Sequence, residues 1–224
     1  DSKEFNIVLN SDRGFFRENS DVKIKALLLD LTEKEYSANV QYEVFELDKP
    51  IEHELQKKSN DKLLPPLPTP PQPLSLVQLY SNTPSTRKIR SGNLSIKAGE
   101  KSELTLSPLP EGAYRIRLTT KDQDIKKVQG QYVILVAGNL KKLSQLDLPS
   151  LTLTEKAKYQ PAETASVLVG ASSLSAPLFI DILKSRFVLE SKIIEGKGLR
   201  LVEIPISKKH SQGFSVHWQA AENF

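Results

Sequence analysis

The side chains that could do chemistry in this chain are three histidines and a few carboxylates, and their spacing assembles no catalytic site. His53 precedes Glu54, while His210 and His217 lie far from it along the chain. A metal centre or an acid–base pair needs such side chains at a spacing that brings them together. His217 lies beside Trp218 in a strand-like segment, so we expect it to be a structural or surface imidazole.

Other chemical signals are missing as well. Asp122 and Asp124 are separated by one residue, whereas a calcium loop needs more carboxylates at fixed spacing, so we interpret them as an ordinary acidic turn. The chain has no cysteine, which excludes disulfides, thiolate zinc sites and cysteine nucleophiles. Its ten glycines are spread singly and form no phosphate-binding loop. We therefore expect no enzyme, no catalytic or cofactor-binding residue, no metal and no cofactor.

The charge pattern limits the partners. The net charge is +4, and the basic residues form scattered pairs, among them Lys141-Lys142 and Lys208-Lys209. Nucleic-acid binding would need a concentrated basic stripe, so we read these pairs as solvated loop ends and expect no nucleic-acid partner. No apolar run approaches the ~20 residues of a membrane span, so this segment is not expected to insert into a membrane.

The elements that would position these side chains are strands. Polar and apolar residues alternate in many short segments. The predicted strands cover residues 5–9, 22–31, 39–47, 94–96, 103–106, 113–119, 129–137, 151–153, 164–169, 178–183, 187–194, 199–206 and 214–218. In the clearest strand, Tyr114, Ile116 and Leu118 share one face, and Arg115 and Arg117 are expected on a solvated face.

The pattern predicts an all-β protein of two tandem antiparallel β-sandwich domains, because short strands with regular turn signals are typical of that architecture. Alternation is lost over residues 140–149, where we place the junction. The predicted domains are residues 1–146, with a long Pro-rich insertion at about 48–90, and residues 147–224. The second is short, and we expect it to lack a final strand. The chain also has no methionine, so we expect it to be a segment of a longer protein.

The segment from Leu63 to Pro73 is rich in proline. Proline donates no hydrogen bond to a sheet, so this segment is expected to be extended and unpaired. It could be a recognition ligand, a spacer or an exposed protease-sensitive loop. The basic residues that would be cleaved in the last case are Lys57, Lys58, Lys62, Arg87, Lys88 and Arg90.

A faint internal repeat accompanies the strands. An aromatic residue, a short turn, a polar or acidic step and then a strand occur from Phe16 to Val22 and again from Tyr159 to Ala165. The second copy, Tyr-Gln-Pro-Ala-Glu-Thr-Ala, resembles the Tyr-x-Pro-Gly-Glu/Asp-x-Ala signature of macroglobulin-like domains of the α-2-macroglobulin family. Ala162 stands where the family has glycine, and the first copy has Asn19 as its substitute. The structural turn residues that this resemblance identifies are Phe16, Asn19, Tyr159, Pro161 and Glu163.

Further segments resemble bacterial members of this family. Residues 39–50 resemble the strand that precedes a long insertion, residues 109–116 resemble a "leucine-proline-any-glycine-any-tyrosine" step, and residues 204–216 resemble closing strands. The order of these short motifs over nearly the whole chain carries the resemblance.

The resemblance implies non-catalytic scaffold modules of a large, broad-spectrum protease inhibitor, exported to the periplasm or cell envelope. The implied partners are neighbouring domains of the parent chain and proteases. Without cysteine, the thioester that many members carry is not in this segment. The alternative is an immunoglobulin-like repeat segment of a cell-surface adhesin or stalk. An accessory sandwich of a carbohydrate-active enzyme would need an exposed aromatic platform, for which Trp218 is the only tryptophan.

Overall fold

The alternating segments form mainly antiparallel sheets in a computed structural model, which describes residues 4–51, 75–122 and 127–221. Strands of the first half are β1 (Phe5–Asn10), β2 (Phe16–Arg17), β3 (Val22–Asp30), β4 (Glu35–Tyr36), β5 (Ala38–Leu47), β6 (Ser85–Ile96), β7 (Ser102–Leu106), β8 (Gly112–Thr120) and β9 (Gln129–Ala137). One sheet has the order β1-β3-β4, with β7 also paired to β3, and the other has the order β2-β9-β8-β5-β6.

Apolar side chains of these two sheets meet in one core. Ile24 and Leu28 of β3 pack with Tyr114, Ile116 and Leu118 of β8, and all five are fully buried. The Tyr114 hydroxyl donates a 2.7 Å hydrogen bond to the carbonyl of Pro110, in the manner of the tyrosine corner of immunoglobulin-like sandwiches. The predicted apolar face of β8 is therefore confirmed.

Two smaller sheets form in the second half. Their strands are β10 (Leu151–Thr154), β11 (Thr164–Gly170), β12 (Leu178–Lys184), β13 (Phe187–Ile194), β14 (Arg200–Pro205) and β15 (Ser215–Ala220). The strand orders are β10-β11-β14 and β13-β12-β15. Their inward residues make a separate core that includes Val167, Ile180 and Val202.

Both halves use the same strand pairings. Strand β3 pairs with β1 and β7 as β11 pairs with β10 and β14. Strand β5 pairs with β6 and β8 as β12 pairs with β13 and β15. These pairings are those of an immunoglobulin-like β-sandwich, so the predicted all-β sandwich class is confirmed. The division at residues 146 and 147 stays a prediction.

Helical structure is short. Helix α1 is Leu76–Leu79, helix α2 is Lys141–Gln145, and a 3₁₀ turn covers Lys208–His210. Helix α2 lies in the predicted junction, where we expected an irregular segment. Its Leu143 is fully buried, as is Leu148 shortly after it, because the junction packs into the protein.

The structure contradicts part of the predicted protease-sensitive loop. Arg87, Lys88 and Arg90 lie in β6, paired with β5. Arg87 donates to the Glu46 carboxylate at 3.1 and 3.2 Å, Lys88 pairs with Glu43 at 3.0 Å, and Arg90 donates to the carbonyls of residues 107 and 108. Strand β6 therefore begins at Ser85, earlier than the strand that we predicted at residues 94–96.

The rest of that predicted loop lies outside the described residues. This applies to Lys57, Lys58 and Lys62, to the Pro-rich segment from Leu63 to Pro73, and also to His53 and Asp124.

Candidate functional site: a shared hydrophobic cluster and an open sheet edge

One end of the outer face of the five-stranded sheet is covered rather than solvated. Val133, Leu135 and Ala137 of β9 point away from the first core and join a second hydrophobic cluster. Buried members of this shared cluster are Phe15, Leu47, Tyr80, Ala113, Val133, Leu135, Ala137, Leu143, Leu146, Leu148, Leu151, Leu168 and Leu199. Because the last three belong to the second half of the chain, the cluster joins the two sandwiches.

Arg115 corrects the sequence-based prediction of a solvated face. It is only 7% exposed, and it donates hydrogen bonds to the Tyr80 carbonyl at 2.6 Å and to Ser85 Oγ at 3.0 Å. Burial, and then the charge of Arg117, lower its pKa. Arg117 is half-buried, with its guanidinium 4.8 Å from the centroid of the Phe45 ring. The prediction was wrong for Arg115 because Tyr80, after α1, covers this end of the sheet.

Glu111 fixes the junction to the turn before β8. Glu111 is 6% exposed, and its carboxylate accepts hydrogen bonds from the backbone N–H groups of Gly138 at 2.5 Å, Leu140 at 2.6 Å and Lys142 at 2.7 Å. Charge-assisted bonds of this kind are among the stronger hydrogen bonds in proteins. The start of α2 is thereby held against the first sandwich.

Backbone contacts join the segment before β2 to the end of β10 and the residues that follow it. The Gly14 N–H donates to the Thr154 carbonyl at 3.1 Å, and the Ala157 N–H donates to the Asp12 carbonyl at 3.0 Å. A Cβ on Gly14 would lie 2.2 Å from that Thr154 oxygen. Only glycine permits this approach.

Side chains reinforce the same junction. Arg17 pairs with Glu155 at 3.4 Å and donates to Ser166 Oγ at 3.0 Å. Arg17 lies in β2, and Ser166 lies in β11. The polar contacts therefore run beside the hydrophobic cluster and connect the same two sandwiches.

In the second copy of the repeat, Pro161 and Ala162 form a tight turn. The Glu163 N–H donates to the Gln160 carbonyl at 3.2 Å, and Ala162 has the left-handed φ of 71° that a type II turn requires at this position. The Glu163 carboxylate accepts from the Gln160 N–H at 2.8 Å and from Lys156 Nζ at 3.0 Å. These bonds, with the one from Gln160 first, lower the pKa of Glu163.

In the first copy, Phe16 is 4% exposed and pairs with Val136 across the parallel β2–β9 ladder. The following turn closes with a 3.0 Å hydrogen bond from the Ser20 N–H to the Arg17 carbonyl. Asn19 was expected to supply left-handed geometry, but its φ is not positive. This expectation was wrong because the turn closes with an ordinary right-handed backbone, which needs no glycine substitute.

A groove of about 1160 Å³ lies at the open side of the second sandwich. Its lining comes from the segment from Lys156 to Pro161, the segment from Ile206 to Val216, loop residues 11–14 and residues 152–154 of β10. Tyr159, the aromatic residue of the repeat, is half-buried here and accepts a 2.9 Å hydrogen bond from the Lys156 N–H. Sequence reasoning missed this groove, because nothing in the alternation shows which edge of a sheet is free.

His210 lines this groove and is 5% exposed. Its Nδ1 accepts a 3.0 Å hydrogen bond from the Ser207 N–H, and its Nε2 is buried with no hydrogen-bond partner in the described residues. The ring packs edge-on against Phe214, with centroids 5.4 Å apart. Burial, and then the charge of Lys209, lower the pKa of His210.

The remaining sequence candidates are not assembled into a chemical site. Among residues 4–51, 75–122 and 127–221, no group of three or more His, Asp or Glu side chains could hold a metal ion. His217 is exposed on β15, and the Asp122 carboxylate accepts hydrogen bonds from the Asn39 backbone and side chain at 2.8 and 3.4 Å. Within the same described ranges, no helix has the length and apolar character needed to span a membrane.

No family model and no curated protein matches the sequence. The structure is similar to E. coli α-2-macroglobulin in its native conformation, with 13% identity, a TM-score of 0.29, and coverage of 92% of this chain and 13% of that chain.

Other solved structures are similarly distant. For the fibronectin(III)-like modules of Clostridium thermocellum CbhA, the identity is 13%, the TM-score 0.31, and the coverage 96% of this chain and 86% of that chain. For latent PorU of Porphyromonas gingivalis, the identity is 12%, the TM-score 0.34, and the coverage 91% and 21%. Values this low assign no function.

Proposed function

We propose that the chain is a non-catalytic scaffold of two β-sandwiches that are docked as one rigid unit. The observation that carries this proposal is the shared hydrophobic cluster, in which Leu135 of β9 packs in the same cluster as Leu168 of β11. Each apolar side chain buried in such a contact stabilises it by roughly 1.5–3 kcal/mol.

We further propose that this scaffold belongs to a large α-2-macroglobulin-like protease inhibitor of the periplasm or cell envelope. The support is the ordered series of macroglobulin-like sequence motifs, together with a tight turn at Pro161 and Ala162 whose φ of 71° suits the glycine of the family signature. The scaffold would frame or transmit the conformational change of the parent protein. Its partners would be the neighbouring domains and the trapped protease.

Protease trapping by the natural gene product tests the inhibitor role. The full product is incubated with trypsin, and the remaining trypsin activity is measured on a small fluorogenic peptide and on a large protein substrate. A trap that encloses the protease blocks the large substrate and spares the small one.

Two results would contradict the inhibitor role. The first is that trypsin hydrolyses each of the two substrates equally fast with and without the gene product. The second is a long gene product composed only of such sandwiches and without trapping activity, which is the behaviour of an adhesin or stalk. Neither result bears on the rigid docking of the two sandwiches, which a distance measurement between them tests separately.

A further inference from the structure

The two sandwiches have the same strand pairings, in which β15 of the second corresponds to β8 of the first. One edge of β15 is open, whereas the same edge of β8 is covered by β9. Strand β8 pairs with β5 along one edge and with β9 along the other. Strand β15 pairs with β12 along one edge, and no strand in the described ranges pairs with the other. The position that β9 fills in the first sandwich is therefore unfilled in the second.

Backbone groups at this edge are ready to pair. The Ala221 N–H donates to the Pro177 carbonyl at 2.9 Å. Because hydrogen-bonded residues alternate along an antiparallel ladder, the N–H and C=O groups of Val216, Trp218 and Ala220 point to the open edge. An open edge of this kind is the template on which a further strand adds.

The side chains at the edge are also incompletely covered. Val216, Trp218 and Ala220 face the core of the second sandwich but are only half-buried, whereas the inward residues of β8 are fully buried. In the first sandwich, the missing cover comes from inward residues of β9, among them Ile134 and Val136. An apolar residue at every second position of an added strand would supply the same cover.

The opposite wall of the groove corresponds to β2. Phe16 in β2 pairs with Val136 of β9, and Tyr159 is the counterpart of Phe16 in the repeat. The groove lies between the Tyr159 segment and the start of β15. It therefore occupies the place that β9 occupies between β2 and β8.

Charge on the groove walls selects the kind of strand. Lys158 and Lys208 line the groove, are exposed, and make no ion pair in the part of the chain that the structure describes. Since Nδ1 of His210 accepts a hydrogen bond, its neutral ring carries the proton on Nε2, which is the buried donor without a partner. Carboxylates suit the lysines, and a carbonyl or carboxylate oxygen suits this donor.

We propose that the open edge of β15 and the adjoining groove form a docking site for an extended strand of alternating apolar and acidic residues that comes from outside residues 1–224. The strand pairs antiparallel with β15, places its apolar residues over Val216 and Trp218, and places its acidic residues near Lys158 and Lys208. This inference rests on the fold and does not depend on the proposed inhibitor role.

Binding of a synthetic peptide tests the proposal. The probe is a nine-residue peptide in which glutamate and valine alternate, titrated into the 224-residue chain while the fluorescence of Trp218, the only tryptophan, is recorded. We expect saturable binding and slower hydrogen exchange at the amides of Val216 and Ala220. Two control peptides are used: one has the same composition with all glutamates before all valines, and the other alternates lysine with valine. Neither control should protect these amides.

Charge reversal tests the assignment of the groove walls. The variant Lys158→Glu/Lys208→Glu should bind the glutamate–valine peptide about tenfold more weakly, because two attractive surface pairs become repulsive. The matched variant Lys101→Glu/Lys127→Glu, which changes exposed lysines of the first half, should bind it unchanged.

Three outcomes would overturn the proposal. In the first, the alternating glutamate–valine peptide does not bind. In the second, it binds no better than the control peptide with all glutamates before all valines, which indicates binding through charge alone. In the third outcome, the chain without peptide self-associates with rising concentration and protects the β15 amides, so that a second copy is the occupant.

Discussion

The Arg115 guanidinium donates a 2.6 Å hydrogen bond to the carbonyl oxygen of Tyr80. Arg115 belongs to β8, and Tyr80 ends helix α1. Tyr80 is itself fully buried in the shared cluster, and burial raises the pKa of its hydroxyl. The bond therefore fixes α1 over the outer face of the five-stranded sheet, beside the contact between the sandwiches.

Truncating Arg115 is expected to cost much more stability than truncating its neighbour. Arg115→Ala removes the charged donor of the Tyr80 carbonyl, which keeps only its 3.1 Å bond from the Thr83 N–H, and also removes the bond to Ser85 Oγ. The expected cost is about 2–3 kcal/mol. Arg117→Ala removes a contact over the Phe45 ring, at a cost of about 1 kcal/mol. Urea unfolding of both variants measures the difference. Equal losses of stability would contradict the larger contribution of the buried Arg115.

The alternation of residues predicted the inward face of β8 but not the fate of its outward face. A period of two separates Tyr114 from Arg115 without stating what covers either one. Charged residues on the outward face normally indicate solvent, and here Arg115 is buried by an element from a distant part of the chain. The two-residue strands β2 and β4 were missed because they are too short to show a period.

Gly14 is expected to be irreplaceable at the junction. Gly14→Ala places a Cβ against the Thr154 carbonyl, and relieving this overlap should lower the free energy of unfolding by about 1–3 kcal/mol. Hydrogen exchange should accelerate at the Ala157 amide, which donates to Asp12.

Gly99→Ala is the matched control for this prediction. Gly99 has a φ of 74° and no neighbouring atom within 4 Å of its added Cβ. We expect strain of about 1 kcal/mol and no change in exchange at Ala157. Unchanged exchange at Ala157 in Gly14→Ala would contradict the close contact.

Ala162→Gly should stabilise the protein. Ala162 has a left-handed φ of 71°, which costs an alanine about 1–2 kcal/mol, while glycine adds a smaller entropic cost in the unfolded chain. The expected net gain is about 0.5–1 kcal/mol, measured by urea unfolding. In Ala165→Gly, a control in the buried strand β11, stability should fall by about 1 kcal/mol. A loss of stability in Ala162→Gly would argue against the type II turn.

His210 should make stability depend on pH. Its pKa in the folded protein lies below the usual 6.5 because burial disfavours the charged ring. The unfolded chain therefore takes up a proton at higher pH than the folded protein, and this contribution to stability is complete above pH 6.5 and is lost as the pH falls below it.

Comparison with His210→Gln isolates this effect. The difference in unfolding free energy between the natural protein and His210→Gln should shift against the natural protein between pH 7.5 and pH 5. A difference that stays constant over this range would contradict a lowered pKa at His210.

The shared cluster and the groove could not be predicted from the sequence for related reasons. Leu143, Leu146 and Leu148 lie in a stretch without alternation, which is typical of a linker, and they are buried only because two sandwiches close over them. The turn at Pro161 could be predicted because a local pattern of Pro, a small residue and Glu determines it. Contacts between distant segments leave no such local pattern.

A distance between two spin labels tests the central claim, the rigid docking of the two sandwiches. The chain has no cysteine, so Lys101→Cys and Lys197→Cys, both at exposed positions, attach one label to each half. Pulsed electron resonance should give one narrow distance distribution that broadens in Gly14→Ala. A broad distribution in the otherwise unchanged chain would contradict the scaffold.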